Sequence, residues 1–293
     1  YSARTLPEWV AEKSGGRVQA EDVASISLEN IRVGGAERVA DMLMRVDGGR
    51  SVIVNAVSYP DLWTVVLGVL KTEAAGKRFL YRTWASFVRA RAGILARPLL
   101  APGDLLPRPL PLRPRGLVVV GSHVRRSSEQ LARVLSLPGT VPIEVHVPQI
   151  ILGGARRAAE LARVDLEIHD SLMNYETPVV FTSREIQEPE NMSELEVARS
   201  VSSALVDLVT GLRERPDFII GKGGITSSDI GTRGLGVRRA MVMGQIRSGV
   251  PVWRLGDESR FPGLAYVVFP GNVGQPDTLL DIVTELLTAT TRN

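Results

Sequence analysis

The chain has 293 residues, a formal net charge of +3 and no cysteine. That excludes disulfides, cysteine ligands and a cysteine nucleophile. Basic residues are interspersed with acidic ones and no apolar run reaches the roughly 18 residues that span a bilayer, so neither nucleic acid nor membrane is expected as a partner. The absence of cysteine fits a reducing compartment, and a cytoplasmic location is expected.

Lysine occurs only at Lys13, Lys71, Lys77 and Lys222, which leaves 31 arginines among the 35 basic residues. Individual arginines therefore carry little weight, and individual lysines more. The opening stretch YSARTLPEWVAEKSGG lacks both an initiator Met and the apolar core of a signal peptide. A fragment, a processed product or an incompletely ordered protein is expected.

The β-branched run SVIVNAV (Ser51 to Val57) reads as a buried strand. A helix follows, with Leu62, Val65, Val66, Val69 and Leu70 at helical spacing and Gly76 as its stop. RFLYRTWASFVRARAGI then predicts a short strand and a further helix. Between Leu95 and Arg115 six prolines break the pattern. This places a domain boundary, with 1–100 as the first domain, 101–115 as a proline-rich linker and 116–293 as the second domain. A long loop within one domain is the alternative.

In the second domain, GLVVVGSH (Gly116 to His123), VPIEVHVPQIL, PVVFTSR, DFIIG and AYVVF read as strands. Helices are predicted at Ser127 to Leu137, from Ser193 onward and at the C-terminus. Ser127-x-x-Gln130, Ser193-x-x-Glu196 and Thr226-x-x-Asp229 fit capping boxes, and Asp277 fits an N-cap. His146 reads as a structural residue inside a strand, and the three histidines show no metal spacing. Strands alternating with helices predict an α/β fold with a mostly parallel sheet covered on both faces.

In such sheets ligands bind beyond the carboxyl ends of the strands. The candidate loops are Gly121-Ser122, Thr182-Ser183, Gly221 to Ser228 and Pro270 to Gly274. In GKGGITSSD, glycines let the backbone approach a ligand, free N–H groups can meet an anion, and Lys222 can add charge. The spacing is not that of a Walker A loop. A plain strand–turn–helix junction fits the same residues. FPGNVGQPD is a second glycine loop, with Gly271, Asn272 and Gly274. GSHVRRS offers an anion contact or a basic surface patch. Asn55, Ser58 and Asp61 lie near a strand end, and Arg82 and Ser86 are expected to share a helix face. Substrate contacts and ordinary turn or cap roles both fit these residues.

The motifs RTWASFVRARAGI, VVVGSHVRRSSEQL, PVVFTSR, GKGGITSSD, GQIRSGVPVW and FPGNVGQPDTL, in that order, resemble the four-carbon acid sugar kinase family along essentially the whole chain. The loops look most like a subgroup acting on branched or oxo sugar acids such as 3-oxo-isoapionate. The resemblance implies two three-layer α/β domains with mostly parallel sheets, the first incomplete here, and an active site between them. It implies phosphorylation of a small sugar acid by ATP with Mg²⁺, and a homodimer is compatible with it. ATP would be held by Ser122, Lys222, Gly223, Gly224, Thr226, Ser227, Gly271, Asn272 and Gly274. The sugar acid would meet Asn55, Arg82 and Ser86, with Arg82 as a carboxylate fork. Thr226, Ser227 or Ser228 would meet phosphate or the waters of Mg²⁺, with Asp229 behind them; no protein metal ligand is expected.

Two features depart from the family pattern. The Asp-Asp-x-x-Gly loop expected to supply the catalytic base is missing, so the base is expected upstream of Tyr1. Ile225 stands where many relatives carry an acid, and it is expected to pack on an apolar surface. A nucleotide-binding fragment without turnover, or a nucleotide-independent isomerase or aldolase, are the alternatives.

Overall fold

In the computed structural model, which describes residues 2–184 and 192–289, the chain divides between Ala96 and Arg97 into two units. The first runs α1 (Leu6–Lys13), β1 (Ala24–Ile26), α2 (Leu28–Arg32), α3 (Gly35–Met44), β2 (Val52–Val54), α4 (Tyr59–Ala74) and α5 (Ala85–Arg91). Strands β1 and β2 pair in parallel, Ala24 beside Val52 and Ile26 beside Val54.

Helix α4 starts at a capping box. Ser58 Oγ accepts from Asp61 N, and Asp61 accepts from Ser58 N at 3.0 Å. Such a box satisfies N–H groups that a helix start leaves open. Helix α4 ends before Gly76, whose φ of +94° suits a residue without a Cβ. Its inner face packs Val65 and Val69 against Val39 and Leu43 of α3 and Ile26 of β1. Where α3 and α4 cross, a Cβ at Gly68 would lie 2.6 Å from Val39 Cγ1. The sequence expectation of a strand before α5 is not met, because residues 78–84 form none.

The second unit runs α6 (Pro102–Leu105), β3 (Gly116–Val120), α7 (Arg125–Val134), β4 (Thr140–Val145), α8 (Val147–Leu152), α9 (Gly154–Met173), β5 (Thr177–Thr182), α10 (Glu194–Gly211), β6 (Phe218–Lys222), α11 (Gly224–Asp229), a π-turn (Ile230–Gly234), β7 (Ala240–Arg247), β8 (Val250–Leu255), β9 (Ala265–Phe269) and α12 (Thr278–Leu287). One seven-stranded sheet has the order β4-β5-β3-β6-β9-β8-β7. The first five are parallel, while β8 and β7 form an antiparallel edge.

Side chains alternate across the central strands. Leu117, Val119 and Ile219 pack with Val164, Ile168 and Leu172 of α9 and Leu205 and Leu208 of α10. Val118, Val120 and Ile220 pack with Leu131 and Val134 of α7 and Leu279 and Ile282 of α12. Strands buried on both faces read as continuous apolar runs, as GLVVV and FII do. Both units are thus α/β regions with mostly parallel sheets flanked by helices.

The proline-rich stretch expected as a linker is packed into the second unit. Leu105 and Leu106 are buried in the core beside Val118 and Ile220, and Leu100 N donates to Gln245 O at 2.8 Å. Proline removes donors without removing apolar surface, and the interspersed leucines cover the sheet. His146 is also displaced from its expected place. It follows β4, caps α8 and faces Glu160 at 3.1 Å.

Candidate functional site

The parallel register brings three strand ends together. Val120 lies beside Lys222, and Lys222 beside Phe269. The loops that follow, 121–124, 223–226 and 270–275, therefore emerge side by side. Gly121 N donates to Lys222 O at 3.2 Å, and Gly223 N donates to Phe269 O at 2.8 Å.

The loops touch so closely that glycine is required at their contacts. A Cβ at Gly121 would lie 2.3 Å from Thr226 Oγ1. One at Gly271 would lie 2.9 Å from Ser122 Oγ. Gly223, at φ +125°, would place one 3.0 Å from both Ser122 Cβ and Thr226 Oγ1. Ser122, Gly223, Thr226 and Gly271 thus form one cluster. Gly224 differs: nothing lies within 4 Å of its would-be Cβ, so it faces open space.

Within the cluster, backbone donors are left over. Among the described residues, no protein acceptor meets the N–H of Ser122, His123, Gly224, Ile225, Thr226, Gly271, Asn272, Val273 or Gly274. His123, Gly224, Ile225 and Asn272 are exposed, so the array is open to solvent, and converging open N–H groups can receive an anion.

Several expected roles are changed by the geometry. Lys222 does not face the open side. Its side chain is fully buried, and its Nζ donates to Pro270 O at 2.6 Å and Gly271 O at 3.0 Å, 4.0 Å from the centre of the Phe269 ring. Burial, with the Arg126 charge added, lowers its pKa to about 7, while the carbonyls and the ring face favour the charged form.

Ser227 is buried, donates to Gly224 O at 3.2 Å and lends its carbonyl to Tyr266 Oη at 2.7 Å, so its hydroxyl serves the turn. Thr226 and Asp229 form no capping box. Helix α11 is capped at Gly223, and Asp229 accepts from Ser202 and lies 3.8 Å from Arg233. Ile225 is 72% exposed and does not pack into the core. Asn272 is exposed. Gly274, at φ +84°, turns the chain towards Thr278. Asp277 holds the N-cap position of α12 as expected, but its carboxylate makes no capping bond and pairs with Arg133.

Ser127 and Gln130 are not a capping box either, because α7 begins earlier, at Arg125. Both are fully buried and reach the 270–275 loop: Ser127 Oγ donates to Gly271 O at 2.9 Å, and Gln130 Nε2 donates to Val273 O at 3.1 Å and Gln275 O at 2.8 Å. Sequence reasoning missed these contacts, since partners more than 140 positions apart leave no local signal. Arg184, also missed, donates from Nη1 to Ser122 O at 2.6 Å.

The three residues expected at a sugar acid are not joined by any hydrogen bond among the described residues. Asn55 follows β2, and its Nδ2 donates to Ser25 Oγ at 3.1 Å and Ile26 O at 3.3 Å. Arg82 precedes α5, with its guanidinium 4.6 Å from the Trp9 ring, so the expected shared helix face with Ser86 does not form.

Among the described residues no group of three or more His, Asp or Glu side chains is placed to hold a metal. No helix there is long and apolar enough to cross a membrane.

Comparison with known proteins agrees with the two-unit division. Residues 1–91 match a sugar-binding N-terminal domain, and residues 117–279 match a nucleotide-binding C-terminal domain. A search of curated proteins gives no match. A Salmonella typhimurium LT2 protein, provisionally called a tRNA synthase, is similar in structure with a TM-score of 0.60 and 17% identity, over 90% of this chain and 60% of that one. Protein HI1011 of Haemophilus influenzae, described by the DUF1537 family model, gives a TM-score of 0.56 and 17% identity, over 93% and 63%. The chain thus spans about 60% of the length of these two structures. Its paired sugar-binding and nucleotide-binding domains make the chain a member of the four-carbon acid sugar kinase family.

Proposed function

We propose that the loops 121–124, 223–226 and 270–275 bind ATP, and that the protein transfers its terminal phosphoryl group to a hydroxyl of a small four-carbon or branched sugar acid. The observation that carries this reading is the array of unpartnered N–H groups where three glycine-bearing loops meet. Phosphoryl transfer asks little covalent work of a protein and much positioning and charge stabilisation. Backbone N–H groups supply that without a protein metal ligand. Mg²⁺ fits such a site through phosphate oxygens and water, because it keeps much of its hydration shell.

In this reaction the acceptor hydroxyl oxygen forms a bond to the terminal phosphorus, the bond to the bridging oxygen breaks with ADP leaving on that oxygen, and the hydroxyl proton passes to water or to a base. The family's sugar-binding description supports the acceptor class, with Asn55, Arg82 and Ser86 the residues proposed to meet it. Calorimetry with ATP and a coupled assay of ADP release, run over a panel of four-carbon, branched and oxo sugar acids, tests the reading. ATP binding with acid-dependent ADP release is expected. Binding without release for any acid contradicts the kinase assignment, and absence of binding contradicts the nucleotide site as well.

A further inference from the structure

The Lys222 side chain, the last of β6, is the largest charged group fully buried among the described residues, and nothing in the anion-binding reading uses its charge directly. Its partners show what it does. Pro270 O, Gly271 O, Val273 O and Gln275 O are four carbonyls of one loop, and each is held by a side chain that is fully buried: Lys222, Ser127 or Gln130. Gly271 O is held twice, by Lys222 and by Ser127.

A peptide group directs its N–H roughly opposite to its C=O. Fixing Pro270 O, Gly271 O and Val273 O inward turns the N–H groups of Gly271, Asn272 and Gly274 away from the three side chains, while the Gln275 carbonyl, which precedes Pro276, anchors the end of the loop. The N–H groups of Gly271 to Gly274 meet no acceptor among the described residues. The orientation of Gln130 is settled by its partners, since both amide protons face carbonyls and a flipped amide would set oxygen against oxygen. Its Oε1 has no partner among the described residues, so the residue acts here as a double donor.

We infer that Lys222, Ser127 and Gln130 are positioning residues, which grip the 270–275 loop by its carbonyls and present its N–H groups to the phosphates of ATP. This rests on the proposed nucleotide site. It assigns Lys222 to the side of the loop away from the ligand, where it orders donors instead of touching phosphate.

Gln130→Glu tests the grip with little change of volume, because it sets a carboxylate against two carbonyls. Ser127→Ala removes a single donor and keeps the fold if the first variant unfolds. Two readouts are taken on the whole chain at 25 °C: backbone amide order parameters of Gly271 to Gly274 from NMR relaxation, and ATP affinity by calorimetry. The expected result is lower order parameters in this loop, with ATP binding weakened about tenfold or more for Gln130→Glu and several-fold for Ser127→Ala. Glu37→Gln, at an exposed position of α3 in the other unit, should leave both unchanged.

Unchanged order parameters in both variants overturn the grip. Lowered order parameters with unchanged ATP affinity overturn its role in presenting donors. Failure of the unsubstituted protein to bind ATP defeats the nucleotide reading itself and with it the role of the N–H groups, and it is told apart because it shows before any substitution is made.

Discussion

The two units place loops after parallel strands in the same way, yet they use the backbone differently. After β2 the loop is closed on itself. Asp61 accepts from Val57 N at 3.1 Å and Ser58 N at 3.0 Å, and it also takes two bonds from Arg32, at 2.8 and 3.1 Å. Asn55 is likewise tied to β1. After β3, β6 and β9 the carbonyls are held and the N–H groups are left open. Most donors of the first loop are used by its own neighbours. A loop whose acceptors are used and whose donors are free is shaped for an anion.

The largest effect that would break this contrast is expected at Gly221. A Cβ there would lie 2.2 Å from Tyr266 Oη, whose bond to Ser227 O anchors α11. Gly221→Ala should cost about 3 kcal/mol, the upper end for overpacking a close-packed core, and should weaken ATP binding through displacement of α11. Chemical denaturation with parallel calorimetry checks both.

Gly68→Ala makes the same kind of crowding in the first unit, against Val39. It should cost about 1–3 kcal/mol and leave ATP affinity within twofold. If it abolished ATP binding, the assignment of nucleotide contacts to the second unit alone would fail.

A subtler test uses pH. The unfolded-state pKa of lysine is near 10.4, and burial brings Lys222 down to about 7. The native state therefore releases this proton at lower pH than the unfolded chain does. The cost of burying the charge is full below pH about 7 and is relieved as pH rises towards about 10, so this residue makes stability rise with pH in that window. The slope from one such group is at most about 1.4 kcal/mol per pH unit. Lys222→Met should flatten it, read as Tm against pH for the two proteins. Asp61 gives a slope of the same sign in a more acidic window. The Arg32 guanidinium holds its carboxyl well below the ordinary range, so its contribution is present above about pH 4 and is lost only in stronger acid.

The smallest effect is expected from Arg82→Ala. Losing an exposed contact with the Trp9 ring should cost about 0.5 kcal/mol. Its use is as a sugar-acid probe: a raised KM for the acid with unchanged KM for ATP places Arg82 at the acceptor, and unchanged values for both remove it.

Much of the second unit was legible in the sequence. Apolar runs such as GLVVV and DFIIG, each ending at a glycine, marked strands buried on both faces, and the same-edge placement of their loops followed from the parallel sheet. The site glycines were legible for the same reason, since close approach leaves few other choices. The roles of the polar side chains were not. Ser127-x-x-Gln130 and Thr226-x-x-Asp229 carry the spacing of capping boxes, but tertiary partners override the local pattern, with Gly271, Val273 and Ser202 supplying the bonds. Lys222 next to two glycines suggested a phosphate contact, and only its burial turns it inward. In the first unit the strands span three residues each, too short for period-two alternation to show. The leucines between the prolines of 97–115 gave no sign that they would join a core.

The central claim is that the open N–H groups around Gly224 receive the phosphates of ATP. Gly224 has free space about it and no positive φ, so Gly224→Val should fold as the parent does, and Tm reports that. Calorimetric titration of both proteins with ATP then gives the most direct test. The account predicts binding by the parent and a loss of at least a hundredfold in affinity for Gly224→Val at nearly unchanged Tm. Equal affinity in the two proteins would contradict it.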